Sequence, residues 1–290
     1  MTEWTKNSAD VLGYEMAWVE MGTGDPIVFL HGNPTSSFLW RNIMPELETS
    51  GRCIAPDLIG MGDSARLPDS GAGRYDFHTH SKFLDALLEH LDVGERVTLV
   101  VHDWGSGLGF DWARRHSYAV AGIAYMEAFV RPLHWSEWPE AIQPIFEGLR
   151  SEAGESMILD KNIFVERILP ASIMRKLTDD EMDEYRRPFI ESGEARRPML
   201  DWPRQIPFDG EPADVYERVQ AYADWMSAND IPKLFVNADP GAVLIGPQRE
   251  FCRGWRNQTE VTVRGIHFIQ EDSAAEIASA LRDWHATLPG

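Results

Sequence analysis

Cysteine is nearly absent from the chain. Cys53 and Cys252 are the only two thiols among 290 residues, too few for a disulfide framework and without the clustering that a structural zinc site needs. Basic residues are scarce as well: 27 Lys and Arg stand against 46 Asp and Glu, a formal net charge of -19. A field of that sign repels phosphate backbones and no basic stripe relieves it, so nucleic acid is not an expected partner. It also disfavours anionic ligands outside a locally positive pocket and suits a neutral, apolar small molecule. Long hydrophobic runs are missing. Ile27 to Leu30 and Val97 to Val101 are broken by charge or Gly well short of the roughly 20 residues that cross a bilayer, so no membrane span is expected. The opening Met-Thr-Glu-Trp-Thr-Lys carries no apolar signal core, which points to the cytoplasm. No interface signal stands out, and a monomer without metal or cofactor is the expectation.

What is present describes a folded chain: 43% hydrophobic, 11% aromatic and 25% charged residues supply one substantial core and rule out disorder. From Tyr14 to Ala128, short apolar runs alternate with longer helical patterns, the signature of strands joined by crossover helices into a largely parallel sheet. The expected strands are Glu15 to Met21, Pro26 to His31, Cys53 to Pro56, Arg96 to His102 and Ala121 to Glu127. Between them, Phe83, Leu84, Leu87, Leu88 and Leu91 are spaced to cover one helix face within Phe77 to Leu91. From Phe129 to about Pro212, aromatics and prolines punctuate helical segments without a convincing strand. Strand signals return at Lys233 to Asn237 and Thr259 to Val263, and an amphipathic helix around Ile277, Leu281 and Trp284 closes the chain. The pattern predicts an α/β fold: a main domain of residues 1–128 and 213–290, interrupted by a helical cap of residues 129–212. No internal repeat or low-complexity tract is visible.

Three segments carry chemistry. Val97 to Phe110 runs from a buried strand through His102-Asp103-Trp104-Gly105-Ser106 straight into a helix, the context of a nucleophile elbow, which lifts one side chain above the carboxyl edge of a sheet. Asp103 stands at its centre, where hydrolases that cleave acyl groups usually place Ser; read alone, it could equally be the N-cap of the following helix. His31-Gly32-Asn33-Pro34 follows an apolar strand, and its turn can present backbone N–H groups and the Asn33 amide to the same edge. Near the end, Arg264-Gly265-Ile266-His267-Phe268 places a lone His after the last strand. Nucleophile first and His last is the order used by α/β-hydrolases.

On these segments the chain resembles the haloalkane dehalogenase family of α/β-hydrolases, in the branch with an Asp-His-Glu triad, and within it the tetrachlorocyclohexadiene hydrolases. The likeness runs nearly end to end: Gly22 to Pro26, His31 to Ser37, Leu39 to Pro45, Asp57 to Ser64, Val100 to Ser106, Gly122 to Ala128, Gly193 to Pro198, Trp202 to Pro207, Asn257 to Glu260 and His267 to Ser273. Val101 departs from the small residue that commonly precedes such an elbow in Ser-type enzymes.

The resemblance implies hydrolysis of a carbon–halogen bond. Asp103 would attack a saturated carbon to form an alkyl ester, and water activated by His267 would hydrolyse it, the two-step logic of covalent catalysis. A departing halide needs donors and no acid, which the Trp104 indole N–H and the Asn33 amide supply; the backbone N–H groups of Asn33 and Trp104 would hold the ester's oxyanion. Two acids end strands on the correct side and compete for the third triad position. The resemblance favours Glu127, while Asp239 in Asn237-Ala238-Asp239-Pro240 remains the alternative. Phe129, Trp138, Ile142, Phe146, Phe164, Ile168, Ser172, Trp202, Pro203 and Ile206 from the cap, with Ala242, Val243 and Phe268, are the expected pocket lining. Ser172 is small and polar where relatives tend to carry larger apolar residues, which predicts a wider tunnel. An epoxide hydrolase would want two cap tyrosines, and Tyr185 is the only one. A coelenterazine-oxidising luciferase or a non-catalytic receptor on the same scaffold are further readings.

Overall fold

The computed structural model describes residues 4–69 and 71–289; residues 1–3, 70 and 290 lie outside it, among them the first part of the opening read for a signal core. Eight strands form one sheet: β1 (Asn7–Val11), β2 (Tyr14–Met21), β3 (Pro26–Leu30), β4 (Arg52–Pro56), β5 (Val97–Asp103), β6 (Val120–Ala128), β7 (Lys233–Pro240) and β8 (Gln258–Gly265). Their order is β1-β2-β4-β3-β5-β6-β7-β8. The pairs β1/β2 and β2/β4 are antiparallel, and every neighbouring pair from β4 onward is parallel. The expected α/β architecture is therefore the one observed. β1 was not expected: its Asn7-Ser8-Ala9-Asp10-Val11 is polar and mostly exposed because it is an edge strand with a single neighbour. Pro26–Leu30 and Val97–Asp103 are apolar on both faces because helices cover both faces of a parallel sheet.

The helices are α1 (Phe77–His90), α2 (Trp104–Arg115), α3 (Gln143–Arg150), α4 (Ala153–Glu155), α5 (Leu169–Ala171), α6 (Asp179–Arg186), α7 (Arg197–Gln205), α8 (Ala213–Ala228), α9 (Gly246–Arg253), α10 (Ile269–Asp272) and α11 (Ala274–His285). Local chemistry sets their ends. The Asp76 carboxylate accepts from the Thr79 N–H at 2.7 Å and caps α1, whose Phe83, Leu84, Leu87 and Leu88 are buried together. Thr178 and Glu181 close a reciprocal capping box at the start of α6. α2 packs between α1 and α8, while α11 lies against β7, β8 and the turn Met44–Leu47. Between β6 and β7 the described residues form helices joined by loops and turns, with isolated bridges of Phe208 with Leu133 and Glu211 in place of any strand. No helix among the described residues is long and apolar enough to cross a membrane.

Candidate active site

Asp103 ends β5 and directly precedes α2, with φ 51° and ψ -129° and no side-chain cap of its own helix. An L-residue held at positive φ is strained, and its surroundings must over-determine it. They do so through missing side chains. A Cβ on Gly105 would stand 2.3 Å from the Leu30 carbonyl oxygen, and one on Gly32 would stand 2.1 Å from Asp103 Oδ1. The Ser106 hydroxyl donates to the Asp103 carbonyl and accepts the Phe129 N–H at 2.9 Å, tying the elbow to the chain leaving β6. The Asp103 carboxylate is therefore not a helix cap. It is raised above the sheet edge, where Oδ1 accepts the Asn33 N–H at 2.8 Å.

His267 follows β8 in a loop whose backbone is fixed from two sides. The N–H groups of His267 and Phe268 donate to the Ser172 carbonyl at 3.1 and 3.2 Å, and the His267 carbonyl accepts from His102 Nε2 at 2.9 Å. The imidazole then spans two carboxylates, with Nε2 3.4 Å from Asp103 Oδ2 and Nδ1 3.2 Å from Glu127 Oε2. Burial opposes its charge, but the hydrogen bonds and charges of Asp103 and Glu127 outweigh it and hold the His267 pKa up to about 9. Burial raises the Asp103 pKa, but His267 and the Trp104 backbone N–H outweigh it and leave the carboxyl below its usual range. In the resting site the imidazolium thus sits between two anions.

Glu127, at φ 41° near the end of β6, is buried. Its Oε2 also accepts the N–H groups of Ala242 and Val243 at 3.0 and 2.7 Å, so three donors converge on one oxygen. Asp239, the competing acid, lies exposed near the end of β7, and its carboxylate makes no hydrogen bond or ion pair among the described residues. The structure brings Glu127 to His267 and leaves Asp239 outside.

Asp103 and His267 open onto a cavity of about 90 Å³. Its wall includes Phe129, Trp138, Ile142, Phe146, Phe164, Ile168, Ser172, Pro203, Ile206, Ala242, Val243 and Phe268, together with Asn33 and Trp104. Trp202 is a correction to the expected lining. Its ring is stacked behind the Trp104 indole, centroids 4.6 Å apart, with the His80 imidazole 4.2 Å away in a second stack. Ile145 lines the cavity and was not expected; it lies one helical turn from Ile142 and beside Phe146, so the spacing of the two expected residues was the available signal. His102 was also missed, although it stands next to Asp103. Burial, with His267 close by, pushes its pKa down to about 3, so it is a neutral donor to the His267 backbone.

The Trp104 indole N–H makes no hydrogen bond among the described residues, and Trp104 is part of the cavity wall. One Asn33 amide hydrogen goes to the Met199 carbonyl at 3.2 Å, which leaves the second free. Two neutral donors, a buried carboxylate and an imidazole therefore meet in an otherwise apolar space. Among the described residues no group of three His, Cys, Asp or Glu side chains is placed to hold a metal ion.

Comparison with known proteins gives a consistent result. A family model described as alpha/beta hydrolase fold matches residues 25–274. The chain is 58% identical over 276 residues to a haloalkane dehalogenase of Sphingobium indicum strain UT26S, covering 95% of this chain and 93% of the relative. It is 51% identical over 274 residues to a haloalkane dehalogenase of Mycolicibacterium smegmatis, covering 94% and 88%. The fold superposes on the crystal structure of haloalkane dehalogenase DbeA from Bradyrhizobium elkani USDA94 with a TM-score of 0.92 at 41% identity, covering 97% of each chain.

Proposed function

Because the chain belongs to the haloalkane dehalogenase family of the α/β-hydrolase fold, we propose that it hydrolyses the carbon–halogen bond of small apolar haloalkanes, releasing an alcohol, a halide ion and a proton. The observation that carries the reading is the Asp103 carboxylate, raised at the tip of the elbow into an apolar cavity, with His267 Nε2 beside it at 3.4 Å.

In the first step a carboxylate oxygen of Asp103 attacks the carbon from the side opposite the halogen. The new bond is an ester, and the electron pair of the broken bond leaves on the halide. The free Trp104 indole N–H and the second Asn33 amide hydrogen receive it. In the second step His267 takes a proton from water, which attacks the carbonyl carbon of the Asp103 ester, while the Asn33 and Trp104 backbone N–H groups face the developing oxyanion. The intermediate then collapses, the bond between the acyl carbon and the alkyl oxygen breaks, the alkyl oxygen leaves as the alcohol with a proton from the attacking hydroxyl, and Asp103 returns to a carboxylate. Glu127 holds the Nδ1 proton in place and offsets the charge of the imidazolium that forms.

Electrostatics link the two steps. At rest, Asp103 and Glu127 together keep His267 protonated. Alkylation of Asp103 removes the anion beside Nε2, so one of the two supports of the imidazolium vanishes at the moment a base is needed. His267 gives up its proton and becomes competent only after the ester has formed.

In this reading residues 129–212 act as a helical cap that excludes water from the cavity above the main domain. The cap's only tyrosine, Tyr185, donates its hydroxyl to Glu271 and does not line the cavity. No cap tyrosine therefore faces the cavity to protonate an opening epoxide ring, which favours a leaving group that departs as a stable anion.

The test is halide release from 1-bromobutane, paired with a His267→Phe variant. Hydrolysis should stop in the variant while displacement continues, so mass spectrometry should find a butyl adduct on Asp103. Halide release without any adduct in the variant would overturn the mechanism.

A further inference from the structure

Both groups proposed to receive the halide are held from behind by one helix. α7 offers the Met199 carbonyl to the Asn33 amide at 3.2 Å, and it stacks Trp202 on the Trp104 indole at an interplanar angle of 22°. The helix is itself anchored. Asp201 accepts the N–H groups of Gly73 and Tyr75 at 3.1 and 3.0 Å, and Gln205 accepts that of Phe77, the first residue of α1. His80, one turn further along α1, stacks on the far face of Trp202.

The Met199 carbonyl is available because of a proline. In an α-helix the carbonyl of residue 199 would accept from the N–H of residue 203. Residue 203 is Pro203, inside α7, and it has no N–H. The carbonyl left without its helical partner is the one that Asn33 uses. We infer that Pro203 and Trp202 are positioning residues for the halide site: Pro203 frees the carbonyl that orients the Asn33 amide, and Trp202 sets the plane of the Trp104 indole. The inference rests on the dehalogenase reading above.

The physical logic is one of orientation. An amide with one hydrogen bonded to Met199 is restrained in its rotation, so its second hydrogen keeps a preferred direction at the cavity wall, where Asn33 stands. The Trp104 ring is likewise confined by the stacked Trp202, the tilted ring of Phe129 and the edge-on ring of Phe77, the last two with centroids at 4.8 and 6.0 Å. Donors that are oriented before the halide forms cost no reorganisation when it does.

The experiment uses the full-length enzyme, bromide as the probe and rapid-quench separation of displacement from hydrolysis. Pro203→Ala and Pro203→Gly both restore the N–H that competes for the Met199 carbonyl. Both residues are better helix formers than proline, alanine more so than glycine, so the thermal midpoints of the two variants should differ. Bromide affinity should nevertheless fall about tenfold in both, displacement should slow to match, and hydrolysis of the accumulated ester should keep its rate. Trp202→Leu should show the same asymmetry and Trp202→Phe, which keeps a ring against Trp104, should restore most of the affinity. Bromide affinity within twofold of the unsubstituted enzyme in both Pro203 variants overturns the inference, as does equal slowing of the two steps. If the unsubstituted enzyme neither binds bromide nor releases it from 1-bromobutane, the dehalogenase reading falls and the halide site falls with it.

Discussion

Replacing Glu127 with Gln tests how the triad acid works, and the structure fixes how the amide must sit. Glu127 Oε2 receives three donors, the N–H groups of Ala242 and Val243 and Nδ1–H of His267. An amide nitrogen in that place would confront two backbone N–H groups, so the Gln must put its carbonyl oxygen there and its nitrogen where Oε1 now lies. The Nδ1–H tautomer of His267 therefore survives. What is lost is the anion opposite the imidazolium. A hydrogen bond to a charged partner contributes roughly 1.5 to 3 kcal/mol against about 1 for a neutral one, so the transition state for hydrolysis should rise by ~1 to 2 kcal/mol. That corresponds to a slowing of about 5- to 30-fold, far short of the roughly ten-thousandfold loss that a wrong tautomer causes in a Ser-His-Asp triad. Displacement involves no proton transfer and should be nearly unaffected, so the Asp103 ester should accumulate. Rapid-quench mass spectrometry reads both phases. If hydrolysis keeps its rate in Glu127→Gln, or collapses in Asp239→Asn, the assignment of the acid is wrong.

Three further outcomes follow from the same geometry. His267 has its pKa raised to about 9 in the folded protein against an ordinary value of 6.5, so its contribution to stability is complete below pH 6.5 and is lost as pH rises through about 9. The difference in urea unfolding free energy between the unsubstituted enzyme and His267→Phe should shrink by on the order of 3 kcal/mol across that window, and a flat difference would contradict the paired-imidazolium picture. Glu271 is a buried carboxylate that takes two hydrogen bonds from Arg41 at 2.7 and 2.8 Å, one from Arg175 and the Tyr185 hydroxyl. Glu271→Gln leaves the Arg41 and Arg175 guanidinium groups with Glu181, paired to them at 2.8 and 2.7 Å, as their remaining carboxylate partner among the described residues and should lower stability by about 3 kcal/mol in urea unfolding; a loss below about 1 kcal/mol would mean that Glu181 compensates. Ser172 holds the His267 loop through its carbonyl and faces the cavity. Ser172→Leu should preserve that anchor yet narrow the site, cutting turnover of bromocyclohexane relative to 1-bromobutane by about tenfold, whereas an unchanged ratio would show that residue 172 does not set the width.

The parts of the fold legible in the sequence are those in which one local rule dominates. Val97-Thr98-Leu99-Val100-Val101 reads as a buried strand because both of its faces are covered, and the glycines after it read as an elbow because the backbone there admits no Cβ. Edge strand β1 was invisible for the converse reason. A half-paired strand at the rim buries little, so Asn7-Ser8-Ala9-Asp10-Val11 shows neither an apolar run nor a clean alternation. The choice between Glu127 and Asp239 could not be read from residue types either. Both acids end neighbouring parallel strands, β6 and β7, and what separates them is the path of the chain after Pro240, which aims the N–H groups of Ala242 and Val243 at Glu127.

Trp202 shows where pattern reasoning stops. An aromatic residue in a cap helix is expected either to line the cavity or to fill the core, and helical spacing places Trp202 and its neighbour Pro203 only about 100° apart. Whether a ring at that position meets a ligand or another ring depends on what already occupies the cavity wall. Here Trp104, projecting from the start of α2, takes the wall, and Trp202 stacks in the layer behind it. Pro203 remains on the wall, and its missing N–H acts at a distance of one helical turn, on a carbonyl whose partner comes from a turn 166 residues earlier in the chain. A proline in a helix reads from sequence as a kink. Its chemical consequence, a backbone acceptor open to a side chain from a distant turn, exists only once the sheet edge and α7 have been brought together.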